Sequence, residues 1–148
     1  SVNFANYTIG EDAYQNVREV CRHYGKKALL IGGEMALKAG KEKLIQALAS
    51  EIQIVDTVLF GTDCTYARME ELAEHAKKCG ADMIFGMGGG KALDTAKGTA
   101  EKAGLPVFTF PTIAATCAAT TALSVVYKED GNFDSFYFYD KLVPHSVF

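Results

Sequence analysis

Apolar residues along this chain alternate between two kinds of pattern. Four short blocks, KALLIGG (27–33), IQIVDTVLFG (52–61), ADMIFGMG (81–88) and LPVFTFPT (105–112), are nearly continuous in Ile, Leu, Val, Phe and Met and are bounded by glycine, proline or charged residues. Blocks of this length and composition predict strands. Between them the apolar positions recur every three or four residues. Residues 34–50, with Leu37, Leu44, Ala47 and Leu48 on one stripe, predict a helix. A second helix is capped by Asp63 or Thr65, carries the stripe Met69, Leu72, Ala73 and Ala76, and closes at Gly80. A third covers 91–103 and ends at Gly104, and residues 12–24 predict a leading helix closed by Gly25.

Strands alternating with helices at this spacing predict βαβ units and a parallel sheet. Apolar runs without polar alternation predict strands covered on both faces. In such a sheet ligands bind beyond the carboxyl ends of the strands. Three of those ends are marked, by Gly32-Gly33, by 86–90 and by Pro111-Thr112, and they are expected to converge on one crevice. After Thr112 the chain becomes small and hydroxyl-rich (113–127). A turn signal at Glu129-Asp130-Gly131-Asn132 between two β-rich runs then predicts a hairpin.

The segment GMGGGKALDTAKG (86–98) adds chemistry to this frame. Consecutive glycines are costly in backbone entropy and allow another molecule to approach the backbone closely. The helix start behind them offers bare N–H groups to an anion. The segment is not a P-loop, because Phe85 and Ala92 stand where that motif needs glycine and Ser/Thr. Nor is it the first-strand fingerprint G-x-G-x-x-G, since Lys91 occupies the third glycine position. A nucleoside triphosphate is disfavoured; the alternatives are another phosphate or a tight strand-to-helix turn with no ligand.

The 148 residues amount to about one domain, 49% hydrophobic, with a formal net charge of −3. That balance argues against a nucleic-acid surface, and no run approaches the ~20 apolar residues of a membrane span. Residues 1–10 lack the basic start and apolar stretch of a signal peptide. Cys21, Cys64, Cys79 and Cys117 form no C-x-x-C pair, which points to free thiols in a reducing cytoplasm. His23, His75 and His145 are scattered; spacing alone assembles no metal cluster and leaves them as surface or helix-end residues. A first residue that is not methionine, and a strand-like HSVF at the end, lead us to expect that the natural protein continues.

GGGK followed by Asp94 and Lys97, and then by FPTIAATCAATTALSVVY, resembles the N-terminal half of the iron-containing alcohol dehydrogenase family, in particular its glycerol dehydrogenase branch. The resemblance runs through nearly the whole chain. It implies an NAD- or NADP-dependent oxidoreductase in which Gly89, Gly90 and Lys91, with Asp94 close behind, bind the dinucleotide pyrophosphate. By the same resemblance Thr112, Ala115, Thr121, Leu123 and Tyr127 lie along the cofactor, although Leu123 and Tyr127 are equally readable as hairpin core. Lys97 is readable as structural. The family's divalent metal, zinc or iron, polarises the substrate oxygen through an aspartate and histidines of a C-terminal helical domain; none is matched here, so no catalytic or metal residue is expected in this chain.

Two departures bear on specificity. Cys117 stands where the branch places an aspartate that contacts the polyol, and Ala119 replaces a proline. A thiol is a weak substitute for a carboxylate acceptor, and its neutrality removes repulsion of an anionic substrate, so a hydroxy acid or oxo acid competes with glycerol. Gly33 stands where the branch often has an aspartate for the adenosine ribose, with Glu34 adjacent, which leaves NAD and NADP open. The expectation is an α/β, Rossmann-like domain over 1–148. Its sheet is mostly parallel, with helices on both faces and a C-terminal β-hairpin. The domain would belong to a cytoplasmic, metal-dependent alcohol or polyol dehydrogenase. Such an enzyme would act on a small alcohol, polyol or hydroxy acid, without nucleic acid or membrane, as a homo-oligomer when full-length. The rival readings are an NADP(H)-linked 2-oxo acid reductase and a non-catalytic dinucleotide-binding module.

Overall fold

All four apolar blocks are strands of one parallel sheet, the second of them at its edge. The computed structural model describes residues 17–111 with their side chains and, as backbone, strands at 6–7, 123–127, 133–138 and 146–147. In chain order the elements are β1 (Asn6–Tyr7), α1 (Val17–Cys21), β2 (Lys27–Gly32), α2 (Glu34–Leu48), β3 (Gln53–Leu59) and α3 (Tyr66–Cys79). There follow β4 (Met83–Gly88), α4 (Gly90–Ala103), β5 (Val107–Pro111), β6 (Leu123–Tyr127), β7 (Phe133–Phe138) and β8 (Ser146–Val147).

The sheet order is β1-β8-β5-β4-β2-β3, with every pairing parallel. From β2 the chain steps outward to β3, then crosses back to β4 on the other side and continues to β5. The order therefore reverses between β2 and β4, which is the topological switch point of a doubly wound sheet.

Alternate residues of the strands feed two cores. Ala28, Leu30, Phe85, Phe108 and Phe110 pack with Val17 and Cys21 of α1 and Leu44 and Leu48 of α2. Leu29, Ile31, Ile84 and Val107 face Leu72 and Ala76 of α3 and Ala96 and Ala100 of α4. Both faces of β2, β4 and β5 are dry, which is why those strands read as unbroken apolar runs; β3, at the sheet edge, is only half-buried, so the expectation of two covered faces fails there. Leu29, Leu30 and Ile31 are wholly buried; each such side chain contributes about 1.5–3 kcal/mol relative to exposure. On the α1–α2 side the rings of Phe85, Phe108 and Phe110 meet edge to face, with centroids 5.9 and 5.3 Å apart.

The predicted elements differ from the observed ones mainly at their ends. α2 stops at Leu48, not 50, because Ala49 and Ser50 take positive φ angles of 51° and 65°. This reversal lets Leu48 and Ile52 enter the same core. Thr65, not Asp63, caps α3, its side chain accepting from the Arg68 N–H at 3.1 Å. α4 begins one residue early, at Gly90. The two-residue β1 carries no sequence signal, and its backbone pairs with β8, which lies within HSVF. β6 and β7 form the expected antiparallel pair; the turn between them, and residues 12–16 of the predicted leading helix, lie outside the described residues.

Candidate functional site

At the switch point the starts of α2 and α4 lie side by side. The Gly33 N–H donates to the Met87 carbonyl at 3.2 Å, joining the turn after β2 to the end of β4. Gly33 is the N-cap of α2 and Gly89 that of α4; both are extended and neither helix has a side-chain cap. The first intrahelical bonds are those from Leu37 to the Gly33 carbonyl and from Leu93 to the Gly89 carbonyl, each 3.0 Å. The amides ahead of them in each first turn have no partner within their helix. Two positive helix ends thus share one crevice, with Pro111 of β5 beside Gly88 in register.

Glycine is required at Gly88. Its φ is +138°, and a Cβ there would stand 3.2 Å from the Ala92 Cβ and 3.4 Å from the Gly33 nitrogen. Gly89 differs: its φ of −85° suits any residue, and a Cβ there would meet nothing within 4 Å. One glycine closes the floor of the crevice, and the next leaves open space at the mouth of α4.

Charges line the rim. Lys91 is exposed, and its Nζ lies 2.8 Å from the Asp63 carboxylate. Its carbonyl accepts from the Thr95 hydroxyl at 2.7 Å. The β3 end is held by Arg68, whose Nη2 and Nε donate to the Leu59 and Phe60 carbonyls at 2.6 and 3.1 Å. Phe60, Gly61, Thr62, Asp63 and Arg68 line a recess of about 300 Å³ there. One turn into α4, Asp94 is buried 3.8 Å from the wholly buried Lys97 ammonium. Burial pushes Lys97 down to about 8, opposed by the Asp94 charge. Cys64 is also buried, which pushes its thiol up to about 12.

The sequence-predicted residues divide accordingly. Gly89, Gly90 and Lys91 sit at the crevice, and Asp94 lies behind it. Leu123 and Tyr127 open and close β6, whose backbone runs beside α4. Thr112, Ala115, Cys117 and Thr121 lie outside the described residues. Sequence reasoning missed the partnership of Lys91 with Asp63 and the clamp made by Arg68, since neither follows from periodicity. Among the described residues the three-donor group is Asp56, His75 and Cys79, on β3 and α3 rather than at the crevice. Cys21, Cys64 and Cys79 are free, and no helix among the described residues is long and apolar enough to cross a membrane.

Fold and crevice together define a doubly wound α/β domain of the class that places ligands at the carboxyl ends of its strands. The chain belongs to the iron-containing alcohol dehydrogenase family, whose model matches residues 5–148. It is 35% identical over 130 residues to a glycerol dehydrogenase of Pseudomonas putida, covering 88% of this chain and 36% of that protein. It is 40% identical over 107 residues to hydroxycarboxylate dehydrogenase A of Escherichia coli, covering 71% of this chain and 28% of that protein. The solved glycerol dehydrogenase of Schizosaccharomyces pombe superposes with a TM-score of 0.83 at 28% identity, covering 98% of this chain and 36% of that one. The chain thus spans roughly a third of the length of these relatives.

Proposed function

We propose that this chain is the N-terminal dinucleotide-binding domain of a metal-dependent, NAD(P)-linked alcohol or polyol dehydrogenase of the cytoplasm. The observation that carries the reading is the pair of helix starts without side-chain caps, joined through Gly33 and Met87. A pyrophosphate fits that arrangement. Each helix end favours an anion by about 0.3–1 kcal/mol, and up to ~2 kcal/mol where partly buried. Hydrogen bonds from backbone amides to a charged group add about 1.5–3 kcal/mol each. The backbone amides of Gly89–Lys91 would hold the phosphates, with the Gly88 floor allowing close approach. The ion pair of Lys91 with Asp63 is half exposed; pairs of this kind are worth ~0–1 kcal/mol, so Lys91 turns toward a phosphate at little cost.

Bound there, the nicotinamide supplies the hydride chemistry, and this chain binds and orients it. Glu34, exposed in the first turn of α2 beside Gly33, suits the adenosine ribose hydroxyls and opposes a 2′-phosphate, which favours NAD(H) over NADP(H). The family's divalent metal finds no ligand set among the described crevice residues, and we assign its ligands to a C-terminal helical domain.

A second reading, a dehydrogenase of 2-hydroxy acids, is favoured by Cys117 and by the relative named for hydroxycarboxylates. Steady-state kinetics of the full-length protein on glycerol and on a set of 2-oxo acids, with NAD(H) and NADP(H), test both readings. The dehydrogenase reading expects turnover of at least one of these classes, and its absence with every pair contradicts it. The hydroxy-acid reading expects Cys117→Asp to lower activity on acids by at least about tenfold, ~1.4 kcal/mol in transition-state binding. An unchanged ranking of substrates overturns it.

A further inference from the structure

Far from the crevice, the last two turns of α3 and the middle of β3 bring together three side chains that the function above does not use. His75 Nε2 lies 2.6 Å from Asp56 Oδ2 and 3.5 Å from Cys79 Sγ. All three donor atoms lie within 4.8 Å of one another, and each residue is partly exposed. His75 and Cys79 are four residues apart on one helix, so they share a face.

The arrangement depends on an irregularity in β3. Ala28 pairs with Ile54 but Leu29 pairs with Asp56, so Val55 is an extra residue in the strand. Its effect is visible in the packing: Ile54 joins the α1–α2 core, whereas Val58 and Phe60, of the same parity, join the α3–α4 core. One inserted residue exchanges the faces of a strand. Were β3 regular through Val55, Asp56 would share the face of Ile54 and could not reach His75.

The two contacts of His75 are made by the same ring nitrogen. A relay from carboxylate through imidazole to thiol needs one partner on each ring nitrogen. A carboxylate, an imidazole and a thiol whose donor atoms all lie within 4.8 Å of one another are instead the donor set of a cation site. Zinc bonds of ~2.0–2.1 Å to N or O and ~2.3 Å to S place tetrahedral ligand atoms about 3.3–3.6 Å apart. The His75–Cys79 distance already has that value, and the partly exposed Asp56 carboxylate must withdraw by only about 0.7 Å. Oδ1 of Asp56 accepts the Thr57 N–H at 2.8 Å, which steadies the carboxylate from its other side. Carboxylate, imidazole and thiolate together suit a borderline divalent ion such as zinc.

We propose that Asp56, His75 and Cys79 form a second metal site, binding one zinc-type divalent cation, with the fourth position open to solvent. On binding, the Cys79 thiol proton and the proton shared by His75 Nε2 and Asp56 Oδ2 are lost to solvent, and sulfur, nitrogen and oxygen bond the metal. The ion joins β3 to α3 without touching the dinucleotide crevice.

Titration of the full-length protein with Co(II) alone tests this. A centre of carboxylate and imidazole gives no thiolate-to-cobalt charge-transfer band in the near ultraviolet, so such a band reports a site containing cysteine. The site predicts a band whose amplitude saturates at one thiolate-bound ion per chain beyond any taken by the catalytic site, vanishes in Cys79→Ser and persists in Cys64→Ser and Cys117→Ser. His75→Gln and Asp56→Asn should weaken binding by at least the ~10–100-fold known for lost supporting partners. Alkylation of the wild-type protein, mapped by mass spectrometry, is independent of how any variant folds: Zn(II) should slow modification of Cys79. No band, a band that survives Cys79→Ser, or alkylation of Cys79 unaffected by Zn(II) overturns the proposal.

Discussion

Lys97 is the residue whose setting departs furthest from its character. A lysine in the middle of a helix reads as a solvated charge, yet Lys97 is wholly buried, with Asp94 one turn before it. Nothing in the spacing shows this, because α4 is buried along 92–100 by neighbours on more than one side. Its ammonium is held down to about 8, against ~10.4 in an unfolded chain. Between those values the unfolded chain binds the proton more often than the folded one, so stability due to this group rises with pH. Urea unfolding of wild type and Lys97→Met from pH 7.5 to 10.5 should diverge. Wild type is expected to gain on the order of 1–3 kcal/mol relative to the variant over that range. Parallel curves would show that Lys97 titrates alike in both states.

At the scale of elements, the fit of α4 to β4 is set by Gly86. A Cβ there would lie 2.5 Å from the Ala96 Cβ, both on rigid backbone. Gly86→Ala should destabilise by about 1–3 kcal/mol through overpacking, and adding Ala96→Gly should restore part of the loss, since the two positions touch. Equal and additive effects in a double-mutant cycle would mean that the helix shifts freely. Periodicity made these elements legible: the stripe Met69, Leu72, Ala73 and Ala76 is the buried face of α3, and the four apolar runs are strands of the parallel sheet. It could not show where α2 ends, because Ala49 and Ser50 reverse the chain without a glycine. It was also silent on the bulge at Val55. The Asp56–His75–Cys79 group escaped for that reason: two of its members lie four apart on a helix, but the third arrives from a strand whose face was reassigned by one residue.

For the molecule as a whole, strand order decides where chemistry is placed. Sequence marked three strand ends with glycine or proline and expected them to meet. The observed order, with β4 and β3 on opposite sides of β2, brings Gly33 and Gly88 together and sets two helix starts on one crevice. Thr112, Ala115 and Thr121, expected along the cofactor, and the specificity position Cys117 lie outside the described residues. The central claim, that a dinucleotide pyrophosphate sits over the α4 start, is tested most directly at Gly89, where φ is −85° and an added side chain meets no protein atom within 4 Å. NADH and NADPH fluorescence titrations of full-length wild type and Gly89→Val, with thermal melts of both, make the measurement. The expected result is an unchanged melt and a dissociation constant raised at least about tenfold, ~1.4 kcal/mol, for whichever nucleotide binds wild type. A folded Gly89→Val protein that binds it as tightly as wild type would mean that the pyrophosphate does not sit over the α4 start.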